Sequence, residues 1–242
     1  MTKRLALAAF LLVNGVSAMA SANPGYYLVS VYDNKGEKSV DFRYWTTQFP
    51  GKPETIWPEL GLGYGVTSRW YTEFFASYIG SHSALGLDTW NWQNDYLLTQ
   101  GQYDVDVALH TNLARAHNQG EGYTLEIGPA LQTEVGRIQL NANLFFERVF
   151  HADDNGTTQL QYQWQAKYRW KAYLETGLQG FGELGDWNHW VRDRQSHRAG
   201  PVVSGIVPVG ASQAFKYQLA YLKGSIYGSH GNMLSLRLQY VF

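Results

Sequence analysis

The sequence has no cysteine, which excludes disulfide crosslinks, thiol nucleophiles and cysteine-ligated metals. Charge is scarce, at 16% of residues against about 25% in ordinary globular chains. The formal net charge is −1, so nothing points to a nucleic-acid partner. After residue 22 no stretch approaches the roughly 20 apolar residues of a membrane-spanning helix. No internal repeat or low-complexity segment is evident. A chain of 242 residues suits one domain. Without crosslinks, its own packing or a membrane must hold it.

Aromatic residues are abundant, at 15%, with 17 Tyr and 9 Trp. Yet mean hydropathy is −0.32. Two architectures combine these traits. One is a soluble β-sandwich; the other is a membrane β-barrel, whose hydrophobicity is hidden by alternation. The N-terminus points to secretion. Lys3 and Arg4 precede the apolar run Leu5–Val13, and Ala18-Met19-Ala20 or Ala20-Ser21-Ala22 offers small residues for cleavage. Residues 1–22 therefore read as a signal peptide. Losing Lys3 and Arg4 leaves 17 basic residues of the 19, against 20 acidic, or −3 for the mature chain.

The mature chain alternates with period two. From Gln159 to Trp170 the odd positions are Gln159, Gln161, Gln163, Gln165, Lys167 and Arg169. The even positions are Leu160, Tyr162, Trp164, Ala166, Tyr168 and Trp170. Successive strand side chains point to opposite faces, so one face is polar and the other apolar. Reading on from Ser39 gives twelve strands, at 39–48, 56–66, 69–79, 87–98, 102–115, 122–135, 138–150, 159–170, 172–183, 197–209, 214–226 and 233–242. Ten or fourteen remain open. Short turns are expected at Thr67-Ser68, Gln100-Gly101, Gly136-Arg137, Lys171-Ala172 and Gly210–Ser212. Longer loops are expected at 49–55, 80–86, 116–122, 151–158, 184–196 and 227–232. Residues 23–38 are left as a periplasmic lead, an extra strand or a plug.

These strands span about 10 to 14 residues, where a tilted bilayer crossing needs about 9–11 and soluble strands average about 5–6. The apolar faces often begin or end in aromatics, as at Tyr64, Trp70, Tyr103, Tyr168 and Trp170, which matches interfacial girdles. No Arg or Lys falls mid-way along an apolar face. The expected fold is an all-β, antiparallel transmembrane β-barrel in the bacterial outer membrane.

The last strand, Leu234-x-Leu236-x-Leu238-x-Tyr240-x-Phe242, resembles the terminal strand of bacterial outer-membrane β-barrels. That resemblance implies that Tyr240 and Phe242 form an assembly signal for the barrel-assembly machinery. It also implies contact with outer-membrane lipid and lipopolysaccharide. Glu59 to Trp70, with Gly61-Leu62-Gly63-Tyr64-Gly65, resembles the strand–turn–strand of the MetA-pathway phenol-degradation family of barrels. That family includes candidate small-solute channels and supplies no catalytic residues.

Alternation puts Arg43, Glu73, Asp104, Asp106, His110, Glu126, Glu134, Glu147, Lys167, Arg169, Glu175, Lys216 and Arg237 on the lumen face. The acidic residues concentrate on the middle strands and the basic ones on strand eight and near the two ends. A basic sector would then face an acidic one across a narrow, water-filled passive channel for small solutes. The rival is a non-conducting structural or interaction barrel, filled by ion pairs and glutamines; a blocked lumen would favour it. The glycines of Gly61–Gly65 mark a bend or a close approach, an inserted N-terminal segment being one candidate.

Enzymatic readings are weaker. Outer-membrane phospholipases are similar barrels, but in His82-Ser83 and Ser196-His197 the paired residues are adjacent, and neighbours on a strand face opposite ways. No catalytic residue is assigned. His189, His197 and His230, near Asp186 and Asp193, lack tight ligand spacing, so no metal or other cofactor is expected. Trp187, His189, Trp190, Arg192 and Arg194 read as interfacial anchors or a lid ahead of a saccharide site.

Overall fold

A computed structural model describes residues 27–31, 35–153, 156–192, 195–226 and 229–242. The expected signal peptide lies outside them, as do Asp193 and Arg194. Within the described residues twelve strands form: β1 (Lys38–Thr47), β2 (Thr55–Gly65), β3 (Trp70–Ser81), β4 (Ala84–Leu97), β5 (Val105–Ala116) and β6 (Tyr123–Val135), then β7 (Ile138–Phe150), β8 (Gln159–Lys171), β9 (Leu174–Asp186), β10 (Ser196–Pro208), β11 (Ala214–Ile226) and β12 (Ser229–Val241). Each pairs antiparallel with its sequence neighbours, and β1 with β12 closes the barrel. In the closing ladder Ser39 lies opposite Val241 and Trp45 opposite Ser235. The start of β1 and the end of β12 thus share one rim. An even-stranded barrel of this type has its termini in the periplasm, so that rim is the periplasmic one.

The alternation seen in sequence becomes an inside-out distribution of polarity. Leu60, Leu62, Phe74, Leu113, Leu178 and Leu238 are 42–66% exposed on the outer wall. Arg43, Glu73, His110, Glu126, Gln165 and Gln179 are buried within it. A belt of exposed leucines of this size would be an aggregation surface in water, whereas lipid covers it. Outward aromatics mark both ends of the belt: Tyr64, Tyr96, Trp170, Tyr173 and Phe242 toward the periplasm, and Tyr78, Tyr123, Phe150 and Tyr221 toward the outside.

Strand ends match the expected ones within a few residues, with three corrections in the connections. The segment 80–86 is no long loop: β3 and β4 run to Ser81 and Ala84. Gly80 belongs to the ladder, where a Cβ would strike the Ala84 carbonyl, so close approach and not a turn explains it. Likewise β12 begins at Ser229, inside the expected loop 227–232. Conversely, Gln100-Gly101 belongs to a longer connection, 98–104, which the Asp106 carboxylate caps by accepting from the Gly101 N–H (2.7 Å) and the Thr99 hydroxyl (3.0 Å). The tight β6–β7 turn at Gly136-Arg137 turns on Gly136, whose φ of 61° favours glycine.

The glycines of β2 are explained by β3. A Cβ on Gly61 would sit 2.5 Å from Glu73 Oε1, and one on Gly63 would meet the Tyr71 hydroxyl and, at 2.5 Å, Ser39 Oγ. Those two hydroxyls bond each other at 2.8 Å. The body packed on these glycines is therefore β3, not an inserted N-terminal segment. Gly63→Val is expected to destabilise the barrel by about 1–3 kcal/mol through overpacking. Gly86→Ala, with open space around it, serves as the control. The readout is the urea midpoint of the folded band on unheated gels; equal midpoints would contradict the packing account.

Candidate functional site

The lumen is where the polar face converges. Its charged layer is built on β1. Asp41 and Arg43, two apart, both point inward, and Glu59 of β2 lies directly opposite Arg43 in the ladder. Arg43 meets Glu73 at 2.6 Å, Asp41 at 3.0 Å and Glu59 at 3.7 Å. Arg237 of β12 reaches the same Asp41 carboxylate at 2.6 Å. Arg43 and its three carboxylates are at most 3% exposed. Charges buried so deeply persist only when paired and hydrogen-bonded.

A second buried cluster centres on His110 of β5. Its Nδ1 lies 2.6 Å from Asp95 and its Nε2 3.2 Å from Glu126. An imidazole protonated on both nitrogens is the form that donates to both. Between these clusters run amide ladders. Gln165 donates to Gln179 at 2.9 Å and to Gln218 at 3.2 Å, and Asn141 donates to Gln132 at 2.9 Å. Toward the outer rim the lumen turns apolar: Trp45, Phe181, Val202, Leu222 and Met233 form one buried cluster with Trp57 against it.

Across the lumen lies the N-terminal segment 27–31. Tyr27, Val29 and Val31 are 1–2% exposed. They pack with Leu97, Ala108, Ala130 and Phe145. The small side chains of Ala108 and Ala130 leave the room that the segment takes. The Tyr27 hydroxyl accepts from Arg43 Nη1 at 2.6 Å and donates to Gln93 at 3.1 Å. The Val29 N–H donates to Gln163, and its carbonyl accepts from Asn143, both at 3.1 Å. The Arg43 guanidinium also lies 3.9 Å from the Tyr27 ring centroid, a cation–π contact. Wall side chains of an open pore would meet solvent. Here the largest fully buried side chains are lumenal, Arg43, Tyr27, Phe145, Leu222 and Met233 foremost. A cavity of about 10 Å³ beside Gln163, Phe181 and Arg198 holds about one water at most. At the level of residues 27–31 the lumen is packed by that segment and by wall side chains.

No family model and no curated protein matches the sequence. Solved structures do match in fold. An outer membrane channel from Pseudomonas putida F1 superposes with a TM-score of 0.61 at 12% identity, covering 91% of this chain and 99% of that one. The NanC porin gives 0.58 at 10% identity, covering 84% and 98%. The transport unit of the Escherichia coli autotransporter AIDA-I gives 0.52 at 11%, covering 90% and 94%. The chain shares their fold, a closed antiparallel β-barrel, here of twelve strands.

Inside the barrel the expected charge layout needs correction. Basic and acidic sectors do not face each other across a wet lumen, because each lumenal cation pairs with a carboxylate beside it. Lys167 meets Glu175 at 2.7 Å, Arg169 meets Glu134 at 2.6 Å and Lys216 meets Glu37 at 2.9 Å. Strands that are neighbours or next neighbours along the wall bring these opposite charges to 2.6–2.9 Å, where Coulomb attraction is strong. Glu134 and Arg169 sit half-exposed at the periplasmic mouth. Glu147 is buried and accepts from Gln161 at 2.9 Å. Asp104 does not line the lumen; it lies exposed in the 98–104 connection, before β5 begins at Val105. The expected strand, from residue 102, began three residues too early there. Asp106 is buried but caps that connection.

Several lumenal residues escaped the sequence reading: Asp41, Asp95, Glu183 and Arg198 among the charges, and Phe145 among the apolar ones. Asp41 shares parity with Arg43, and Phe145 with Asn141 and Asn143, so the signal was present. The Ser–His pairs do separate. Ser196 is buried and accepts from Arg198 at 2.8 Å, while His197 faces out and meets the Tyr162 hydroxyl at 2.8 Å. His82 instead bonds Glu54 at 2.9 Å, tying the β3–β4 turn to the β1–β2 loop. That hydrogen bond lowers the Glu54 carboxyl below the usual carboxylate range. Among the described residues no cluster of three ligating side chains could hold a metal. Trp187 and Trp190 stand 53% and 62% exposed on the outer loop, open rather than folded in as a lid.

Proposed function

We propose that the barrel is a narrow passive channel for small polar solutes, and that its resting state is shut by residues 27–31. One observation carries this reading. The segment occupies the centre of a wall rich in Gln, Asn and charged side chains, against alanines that leave it space. Withdrawn, it would leave amides and ion pairs lining a water path. A solute exchanging hydrogen bonds with such a wall need not shed its polar partners at full cost. The fold likeness to a porin and to an outer membrane channel supports the same reading.

A second reading has its own support: the apolar layer of Trp45, Phe181, Leu222 and Met233 fills part of the lumen independently of the N-terminal segment, as a non-conducting barrel would. Liposome swelling separates the two. Liposomes carrying the mature protein are expected to swell slowly in a pentose and faster once residues 23–34 are deleted. If well-folded samples of both proteins stay inert, the channel reading falls and the filled barrel stands.

A further inference from the structure

The lumenal arginines Arg43, Arg169, Arg198 and Arg237 each hold a carboxylate. Two outward-facing arginines on strands do not. Arg115 on β5 and Arg148 on β7 are exposed, and neither joins an ion pair among the described residues. Both stand near the outer rim. Arg115 is one residue from the end of its strand and Arg148 two from the end of its own. Such positions lie within about 7 Å of the strand end at about 3.3 Å per residue. Each guanidinium rests over an aromatic ring: Arg115 lies 4.8 Å from the Tyr123 centroid and Arg148 5.6 Å from that of Phe150. In the ladders Tyr123 sits between Arg115 and Phe150. The patch therefore runs continuously over β5, β6 and β7.

The geometry points to a phosphorylated lipid of the outer leaflet as the occupant of this patch, specifically a saccharide-based lipid bearing two phosphates, as in the lipid A part of lipopolysaccharide. Three features argue for it. Guanidinium groups recognise phosphate bidentately, and stacking on a ring holds them ready. Level with Arg148 the outer wall presents exposed Leu113 and Leu125, and below it Ile127 and Leu144, a surface for acyl chains beneath a headgroup. Finally, the two arginines are two strands and about two residues apart, so their Cα atoms lie about 12 Å from each other. That span suits two phosphates across a disaccharide and exceeds what a single glycerol phosphate reaches.

The test is native mass spectrometry of the full mature barrel, offered bisphosphorylated lipid A, monophosphoryl lipid A and phosphatidylglycerol in equal amounts. Bisphosphorylated lipid A is expected to be retained over the other two, and Arg115→Ser with Arg148→Ser to reduce it about tenfold. A double variant at the opposite rim, Arg137→Ser with Lys171→Ser, is expected to retain it unchanged. Heat-modifiable gel mobility checks that each variant is folded. Undiminished retention by the folded Arg115/Arg148 variant would overturn the assignment, as would equal loss in the periplasmic-rim variant. If the double variant does not fold, wild-type preference alone decides: equal uptake of phosphatidylglycerol means an unspecific lipid annulus and sinks the proposal.

Discussion

Deleting residues 23–34 is expected to raise the open probability of single barrels in planar bilayers by about two orders of magnitude. The segment gains by burying Tyr27, Leu28, Val29 and Val31 and by the hydrogen bonds to Arg43, Gln93, Gln163 and Asn143. Ordering its backbone offsets much of this, at about 1–2 kcal/mol per residue, so a net preference for the docked state of about 3 kcal/mol remains. That preference keeps about one barrel in a hundred open, and deletion removes it altogether. Brief, rare openings in the mature protein and sustained ones in the shortened protein are the expected records. Val29→Asp is a milder version: it places a carboxylate against Ala108, Ala130 and Phe145 and should raise open probability without shortening the chain. Silence from the folded, shortened barrel would show that the remaining side chains alone close it.

Arg43→Met is expected to be the most destabilising single change in the lumen, costing about 3–5 kcal/mol. Methionine approximates the volume of the side chain but removes its charge. Asp41, Glu59 and Glu73 then share one buried site with only Arg237 to balance them. The urea midpoint in liposomes reads this cost. Adding Glu73→Gln should restore part of it, because the two substitutions remove the two ends of one 2.6 Å pair and so couple strongly. The change also strips Tyr27 of its ion and hydrogen-bond partner. Conductance should therefore rise as stability falls. Tyr27→Phe keeps the ring stack but loses the hydroxyl, so it should cost about 1–2 kcal/mol and lower the midpoint less than Arg43→Met does. A normal midpoint for Arg43→Met would mean that the buried carboxylates need no counter-charge.

The sequence by itself located the strands and assigned which side chains face lipid; it made twelve the expected number with ten or fourteen still open, and the closed barrel decided it. Period-two alternation is local information: Gln159 to Trp170 announces its two faces without reference to any other strand, and the bilayer requires the apolar one outside. Antiparallel closure follows from the even count. Local pattern also located most lumenal charges, because parity carries along a strand. It failed where the strand stopped, at Asp104, and where glycine serves close packing within a ladder, at Gly80. Only the tertiary structure decided which charges pair, because Arg43, Glu59 and Glu73 come from three successive strands and Arg237 joins them through Asp41 only once β12 closes on β1. It alone placed residues 27–31 in the lumen. Their few alternating apolar residues suit a strand, a lead or a plug equally, and the choice depends on a space that Ala108, Ala130 and Phe145 create together from strands far along the chain.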